Sequence, residues 1–229
     1  MSKKRPFELE DIYEELKKRG LLDVSVEITD TETYNKLQSE FFDKVKDIFT
    51  RPLPLEIQSN LKRIVKLASL KPGEIILDVG AGTGVLIPYF LPYKPKKIIA
   101  CDLSAKMLAN LKTKFPQVET YLMDVKDLPL PDNSINVAFL NAVWPNIGDK
   151  PAALKTLKKI LKPHGRMIIS HPEGKEFVDQ LSQAMPFPLD PLPNKINLKT
   201  LLKKHGFILQ TYIDEAKLYF VLAYSEDNN

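Results

Sequence analysis

Residues 74–84 read EIILDVGAGTG: an apolar, β-prone run that ends on an acid, Asp78, followed by three glycines in five positions, Gly80, Gly82 and Gly84. The chain has 229 residues and only 9 glycines against 18 prolines, so one third of its glycines gather in this loop. Glycine tolerates positive φ and lets a ligand approach the main chain closely. The apolar stretch GVLIPYFLPY, Gly84 to Tyr93, follows at once and predicts a helix. A strand, a glycine loop and a helix in that order form one unit of an α/β sheet, with loop N–H groups exposed at the helix N-terminus. The spacing is G-x-G-x-G. A dinucleotide fingerprint, G-x-G-x-x-G, would need glycine at position 85, which is Val85. An acid two residues before the first glycine repels a pyrophosphate and suits a ligand with an ammonium group.

Working outward, the same alternation continues. Strands are predicted at Lys97 to Cys101, Val118 to Met123, Ile135 to Leu140 and Arg166 to Ser170, with helices over 104–114 and 149–162. A helix over 197–205 precedes two closing strands, Phe207 to Ile213 and Lys217 to Tyr224, joined too tightly for a crossover. One of those two must therefore run antiparallel. The fold class is α/β, a doubly wound, mostly parallel sheet. Upstream, residues 8–19, 34–49 and 55–69 carry apolar residues at helical spacing. Residues 1–70 thus read as an all-helical cap or lid segment before the α/β domain of residues 71–229. The Pro-rich segment 172–194 interrupts the sheet on the substrate side and is the candidate acceptor-binding insertion.

Two further acids fall in register with the loop. Asp102 ends the second strand, 22 residues after Gly80, where a carboxylate can accept both ribose hydroxyls. Asp124 ends the third strand, within reach of an adenine amino group. One acid alone is a common helix cap; three at consecutive strand ends around one loop outline a nucleoside-sized site.

These residues carry a resemblance. ILDVGAGTG (76–84), ACDLSAKML (100–108), YLMDVKDLPLPDNSINVAF (121–139) and LKKILKPHGRMIIS (157–170) resemble the class I S-adenosylmethionine-dependent methyltransferases, and the span 57–224 fits throughout. DLSAKML and DLPLPDNS look most like the branch that contains the ubiquinone/menaquinone C-methyltransferases. The resemblance implies a Rossmann-like, seven-stranded sheet with the last strand antiparallel, S-adenosylmethionine as cofactor and S-adenosylhomocysteine as product. It implies that Gly80, Ala81 and Gly82, with Gly84 closing the loop, line the methionine part. Asp78 would meet the amino group, directly or through water. Asp102 would hold the ribose, Leu103 would pack on adenine, and Asp124 and Val125 would meet its edge. Asn141 and Ala142 would lie under the sulfonium end. Three positions depart from the pattern: Asn136 stands where Asp is usual, Pro163-His164-Gly165 replaces a P-G-G turn, and the segment Ser170-His171-Pro172-Glu173-Gly174 differs from the quinone branch. A quinone acceptor is therefore not carried over.

For the transfer itself, His171 is the candidate general base and, with Trp144 and Phe42, a candidate acceptor contact. His164 and His205 read as turn and helix-end residues. The three histidines have no paired spacing, so no metal is expected. The single cysteine, Cys101, rules out an internal disulfide, and no apolar run is long enough to span a membrane. The N-terminus reads as neither signal nor transit peptide, so a cytoplasmic location is expected. Net charge is +4, with 28 Lys interleaved with acids and only 5 Arg, which does not indicate a nucleic-acid partner. The main expectation is methyl transfer to a small-molecule acceptor by in-line displacement. An RNA or protein acceptor, or a non-catalytic cofactor-binding regulator, stays open on sequence; a nicotinamide dehydrogenase is disfavoured by the glycine spacing.

Overall fold

Ile75–Val79 forms β1, an inner strand of a seven-stranded sheet in the order β3-β2-β1-β4-β5-β7-β6. The computed structural model describes residues 9–21 and 28–227. The strands are β2 (Lys97–Asp102), β3 (Glu119–Leu122), β4 (Ile135–Asn141), β5 (Leu161–His171), β6 (Phe207–Glu215) and β7 (Leu218–Ser225). β1 pairs in parallel with β2 and β4, and β7 runs antiparallel between β5 and β6. Only Ala216 and Lys217 separate β6 from β7, too few for a crossover, so the hairpin reverses the chain. The expected sheet and its antiparallel last strand are present.

Alternate residues of each strand face two layers. One face, with Leu77, Val79, Ile99, Leu140 and Ile169, packs on α6 (Lys150–Ile160) and α8 (Lys195–Lys204) through Leu154, Leu157, Leu198 and Leu202. The other, with Ile76, Ala100, Phe139 and Ile168, packs on α3 (Leu55–Leu67), α4 (Ile87–Phe90) and α5 (Ala105–Lys114). Phe90 and Phe139 are fully buried there with ring centroids 4.7 Å apart; burial of each contributes about 1.5–3 kcal/mol. A third cluster lies beyond the carboxyl ends of the strands. It joins Leu16 of α1 (Leu9–Lys18) and Tyr34, Phe41 and Val45 of α2 (Thr31–Val45) to Phe187, with Phe177 and Leu181 of α7 (Gly174–Ala184) against it.

Four segments differ from expectation. The stretch 84–93 is not one helix: turns run to Leu86, α4 lasts a single turn, and Leu91–Tyr93 is a 3-10 turn. Pro88 and Pro92 remove the amides a longer helix needs. The helix expected over 34–49 ends at Val45, with Ile48–Thr50 as a separate 3-10 turn. β5 begins at Leu161 and loops outward before Arg166, where its pairing with β4 shifts register. Segment 172–194 is half helix, α7, and its prolines beyond Pro172 are confined to 186–193. The expected absence of a leader peptide falls largely on residues 1–8, outside the described ones.

Candidate functional site

The carboxyl ends of β1, β2, β3 and β4 open into a cavity enclosing about 990 Å³ of space outside the protein atoms, its mouth included. Gly80, Ala81 and Gly82, then Asp102 and Leu103, then Asp124 and Val125, then Asn141 and Ala142 all line it, as does Phe42. This is the crevice that parallel sheets present to ligands.

The glycine loop is shaped by its neighbours. Gly80 has φ +63°, and a Cβ there would come within 2.2 Å of the Val143 side chain. Gly82 has φ +53° and nothing within 4 Å of the Cβ position, so its missing side chain leaves open space. Four of the loop's amides, by contrast, are taken within the protein. Gly80 and Ala81 donate to the Cys101 carbonyl at 2.8 and 3.1 Å, Gly82 donates to Asp102 Oδ2 at 2.8 Å, and Gly84 donates to the Ala81 carbonyl at 2.9 Å. The expected display of free N–H groups at a helix N-terminus is corrected for these four: the first three tie the loop to the end of β2, the fourth closes the loop on itself, and the helix beyond is too short to add a dipole. Such a loop is a poor phosphate cradle and a good fit for a thin, cationic chain.

The acids are placed by strand ends and by caps. Asp102 is half-buried and open to the cavity, with Oδ1 accepting from Ser104 N at 2.8 Å and Oδ2 from Gly82 N. Burial raises its pKa while these amides pull it down. Asp124 caps a 3-10 turn through Lys126 N at 3.1 Å and accepts from Asn35 Nδ2 at 2.6 Å. Asp78 does not line the cavity. It lies one layer behind the loop at 2% exposure, and no described residue hydrogen-bonds its carboxyl. Desolvation, then the nearby Asp102 charge, pushes its pKa up to about 8.

The fourth side is α2, which lies across the strand ends. Asn35 and Gln38 line the cavity beside Phe42. Gln38, 1% exposed, exchanges two hydrogen bonds with Asn146: its Nε2 donates to Asn146 O at 2.9 Å, and Asn146 Nδ2 donates to its Oε1 at 2.9 Å. Ser39 Oγ donates to Leu103 O at 2.8 Å, and Asp43 accepts from Ser104 Oγ and Lys106 N.

Comparison with known proteins agrees with this geometry. Residues 77–169 match the family model described as a methyltransferase domain. Malonyl-[acyl-carrier protein] O-methyltransferase of Yersinia pestis is 32% identical over 123 residues, 53% of this chain and 45% of the relative. Demethylmenaquinone methyltransferase of Paenarthrobacter aurescens is 32% identical over 114 residues, 48% of this chain and 44% of the relative. A solved S-adenosylmethionine-dependent methyltransferase from Aquifex aeolicus superposes with a TM-score of 0.64 at 21% identity, covering 80% of this chain and 97% of the other; that likeness bears on the fold. The chain is thus similar to methyltransferase domains over residues 77–169. It spans under half the length of the curated relatives it matches.

In this chain, four expected site residues stand outside the cavity wall. Asp78 is described above. Gly84, at φ +81°, packs on Leu111, where a Cβ would sit 3.0 Å from its Cγ. Trp144, expected at the acceptor, is 2% exposed in the core: the 3-10 turn Trp144–Asn146 rolls it inward beneath the Lys150 ammonium, and Val143, Asn146 and Ile147 line the cavity instead. His171, the expected base, is not in a loop. It is the last residue of β5, paired with Tyr219, and is packed 5.5 Å from the Phe177 ring with Nδ1 accepting from Glu173 N at 3.3 Å. Burial lowers its pKa to about 4, so it is a neutral structural imidazole. Segment 172–194 contributes nothing to the lining; Phe187 backs Phe42 at 6.4 Å from the second layer.

Other lining residues escaped the sequence reading: Asn35, Gln38, Val143 and Asn146 among them. Gln38 did leave a signal, as a polar residue between Tyr34 and Phe41 on an otherwise apolar helical stripe. Ala142 also carries backbone strain, with φ +54° in a residue other than glycine, and its amide is held by Ser170 O at 2.7 Å. Asn136, the departure in β4, accepts from Ile75 N at 3.0 Å and supports β1 from the far edge.

Proposed function

We propose that this chain transfers the methyl group of S-adenosylmethionine to a small-molecule acceptor by in-line displacement, and that α2 closes over the bound cofactor as a lid. The observation that carries this reading is Asp102. Its carboxylate ties the glycine loop to the start of α5 while still facing the cavity, and each oxygen keeps a lone pair for a ribose hydroxyl.

The residues fit the cofactor in three respects. The open space at Gly82 admits a chain that a side chain would block. The buried carboxyl of Asp78 has no partner among the described residues and would gain one, directly or through water, from an ammonium group. Asp124 and Val125, with Leu103 opposite, form a slot for a planar base. Asp78, Gly80, Ala81 and Gly82 would therefore hold the amino-acid end, Asp102 the ribose, Leu103, Asp124 and Val125 the adenine, and Asn141 with Ala142 the sulfonium end. When bound, the cofactor supplies a methyl carbon already activated by positive sulfur. The chain's residues then have to bind, align and exclude water. Gln38, Phe42 and Phe49 exclude water from the lid side; Val143 and Ile147 do so from the strand side.

Calorimetric titration with S-adenosylmethionine tests the binding half, with saturable one-to-one binding expected. Incubation with a metabolite extract, followed by mass spectrometry for S-adenosylhomocysteine, tests turnover. Binding without turnover would replace the enzyme by a cofactor-sensing regulator. No binding would sink both.

A further inference from the structure

The cavity wall bears on the acceptor's chemistry. Among the described residues that line it, the ionisable side chains are Asp102, Asp124 and Cys101. Asp102 and Asp124 each accept two hydrogen bonds from within the protein, and burial raises the Asp102 pKa. Cys101 is 1% exposed, and burial keeps it a neutral thiol. The remaining polar groups are amides and a threonine hydroxyl, which take no proton near neutral pH. His171 faces Phe177, outside the wall. The described wall holds acids and no lysine, arginine or histidine. Beside the expected sulfonium end the surfaces are apolar: Phe42 and Phe49 stand 5.9 Å apart, with Val143 and Ile147 on the strand side. The Gln38–Asn146 amides satisfy one another.

Resting on the cofactor reading above, we propose that the acceptor is a largely apolar molecule without a carboxylate or phosphate, whose reacting nitrogen or sulfur sheds its proton to water rather than to a side chain of this chain. An acceptor carrying a carboxylate or phosphate finds no cation among the described lining residues. A nucleophile that needs a base at the moment of attack finds none in the wall. The acceptor's lone pair forms the new bond to the methyl carbon as the carbon–sulfur bond breaks, its electron pair staying on sulfur, which becomes a neutral thioether. A thiolate acceptor ends as a methyl thioether. A secondary amine ends as a tertiary ammonium and releases its proton to water after departure.

The test uses the full chain with S-adenosylmethionine and five acceptors of similar size: benzenethiol, benzyl mercaptan, N-methylbenzylamine, benzoate and phenyl phosphate. Mass spectrometry reads the methylated product and S-adenosylhomocysteine together. The expected result is methylation of the thiols and the amine, with kcat/KM for benzoate and phenyl phosphate lower by about a hundredfold or more. The rising limb of the pH–rate profile should move with the acidity of the thiol, and His171→Gln should leave it in place. Preference for either anion, one midpoint shared by both thiols, or a shift in His171→Gln would overturn the proposal. So would methylation of none of the five while calorimetry shows the cofactor bound. Failure of the cofactor to bind would overturn the underlying reading instead.

Discussion

On the strand side of the cavity, Gly80 and Ala81 are bonded backbone to backbone to Cys101, and Ala142 likewise to Ser170. On the opposite side, the hydrogen bonds that attach α2 to the site all begin at side chains: Asn35 to Asp124, Gln38 to Asn146, Ser39 to Leu103, and Asp43 to Ser104 and Lys106. The first wall cannot give without opening the sheet. The second can be released one bond at a time, each contributing about 0.5–1.5 kcal/mol net. A single cavity is thus built from a wall held by backbone bonds and a helix held by side-chain bonds.

Breaking the rigid wall should cost most. Gly80→Ala places a methyl 2.2 Å from Val143 Cγ2 at a φ of +63°. Strain and overpacking are each expected to cost about 1–3 kcal/mol, read as a lower urea midpoint. Adding Val143→Gly should restore only the overpacking part; full recovery would show that the backbone conformation itself is unstrained.

Next comes Asp102→Ala, which unties Gly82 and Ser104 and removes the ribose acceptor. Affinity for S-adenosylmethionine should fall by roughly 1–3 kcal/mol, about 5- to 150-fold. Unchanged affinity by calorimetry would remove Asp102 from the site.

Gln38→Ala sharpens the contrast from the other side. Loss of the reciprocal amide pair should cost about 1 kcal/mol, and hydrogen exchange should quicken along α2 while β1 and β4 keep their protection. Equal acceleration in β1 would mean that the two walls open together.

The smallest effect is a pH dependence. Asp78 is raised from 3.8 to about 8, so between those values the folded protein holds a proton that the unfolded chain has released, and stability falls as pH rises. Glu173, raised to about 7, acts in the same direction below that pH, and His171, lowered to about 4, acts oppositely below its ordinary 6.5. The interval from pH 7 to 8 therefore belongs mainly to Asp78. Asp78→Asn should flatten the decline there in urea titrations, and an identical slope in the variant would assign it elsewhere. In the wild type, S-adenosylmethionine binding below pH 8 should release a proton as Asp78 ionises against the ammonium, visible as a buffer-dependent binding enthalpy.

The same division separates what was legible in the sequence from what was not. The ends of the first three strands could be read because each apolar run there stops at an acid or a glycine, and Asp102, Asp124 and the loop follow from those ends. His171 was misjudged by one residue: β5 continues through it, so the side chain packs within the protein instead of facing a ligand. Trp144 and Val143 are neighbours, and only the turn between β4 and α6 decides which of them faces the cavity. Gln38, Phe42 and Phe49 lie 31 to 42 positions upstream of Gly80, and although the N-terminal helices read as a cap, no local pattern picks out which of their residues meet the cavity.

The sequence by itself determined the sheet, the loop and the order of its acids, because the period of apolar residues and the conformational needs of glycine act over a few neighbouring positions. Tertiary structure alone decided that three of the loop's amides are taken by the end of β2, that Asp78 stands behind the wall with a raised pKa, and that α2 supplies the fourth side. Those outcomes depend on which groups meet across the fold and how much water they lose there. Desolvation and hydrogen-bond pairing are properties of that assembled surface.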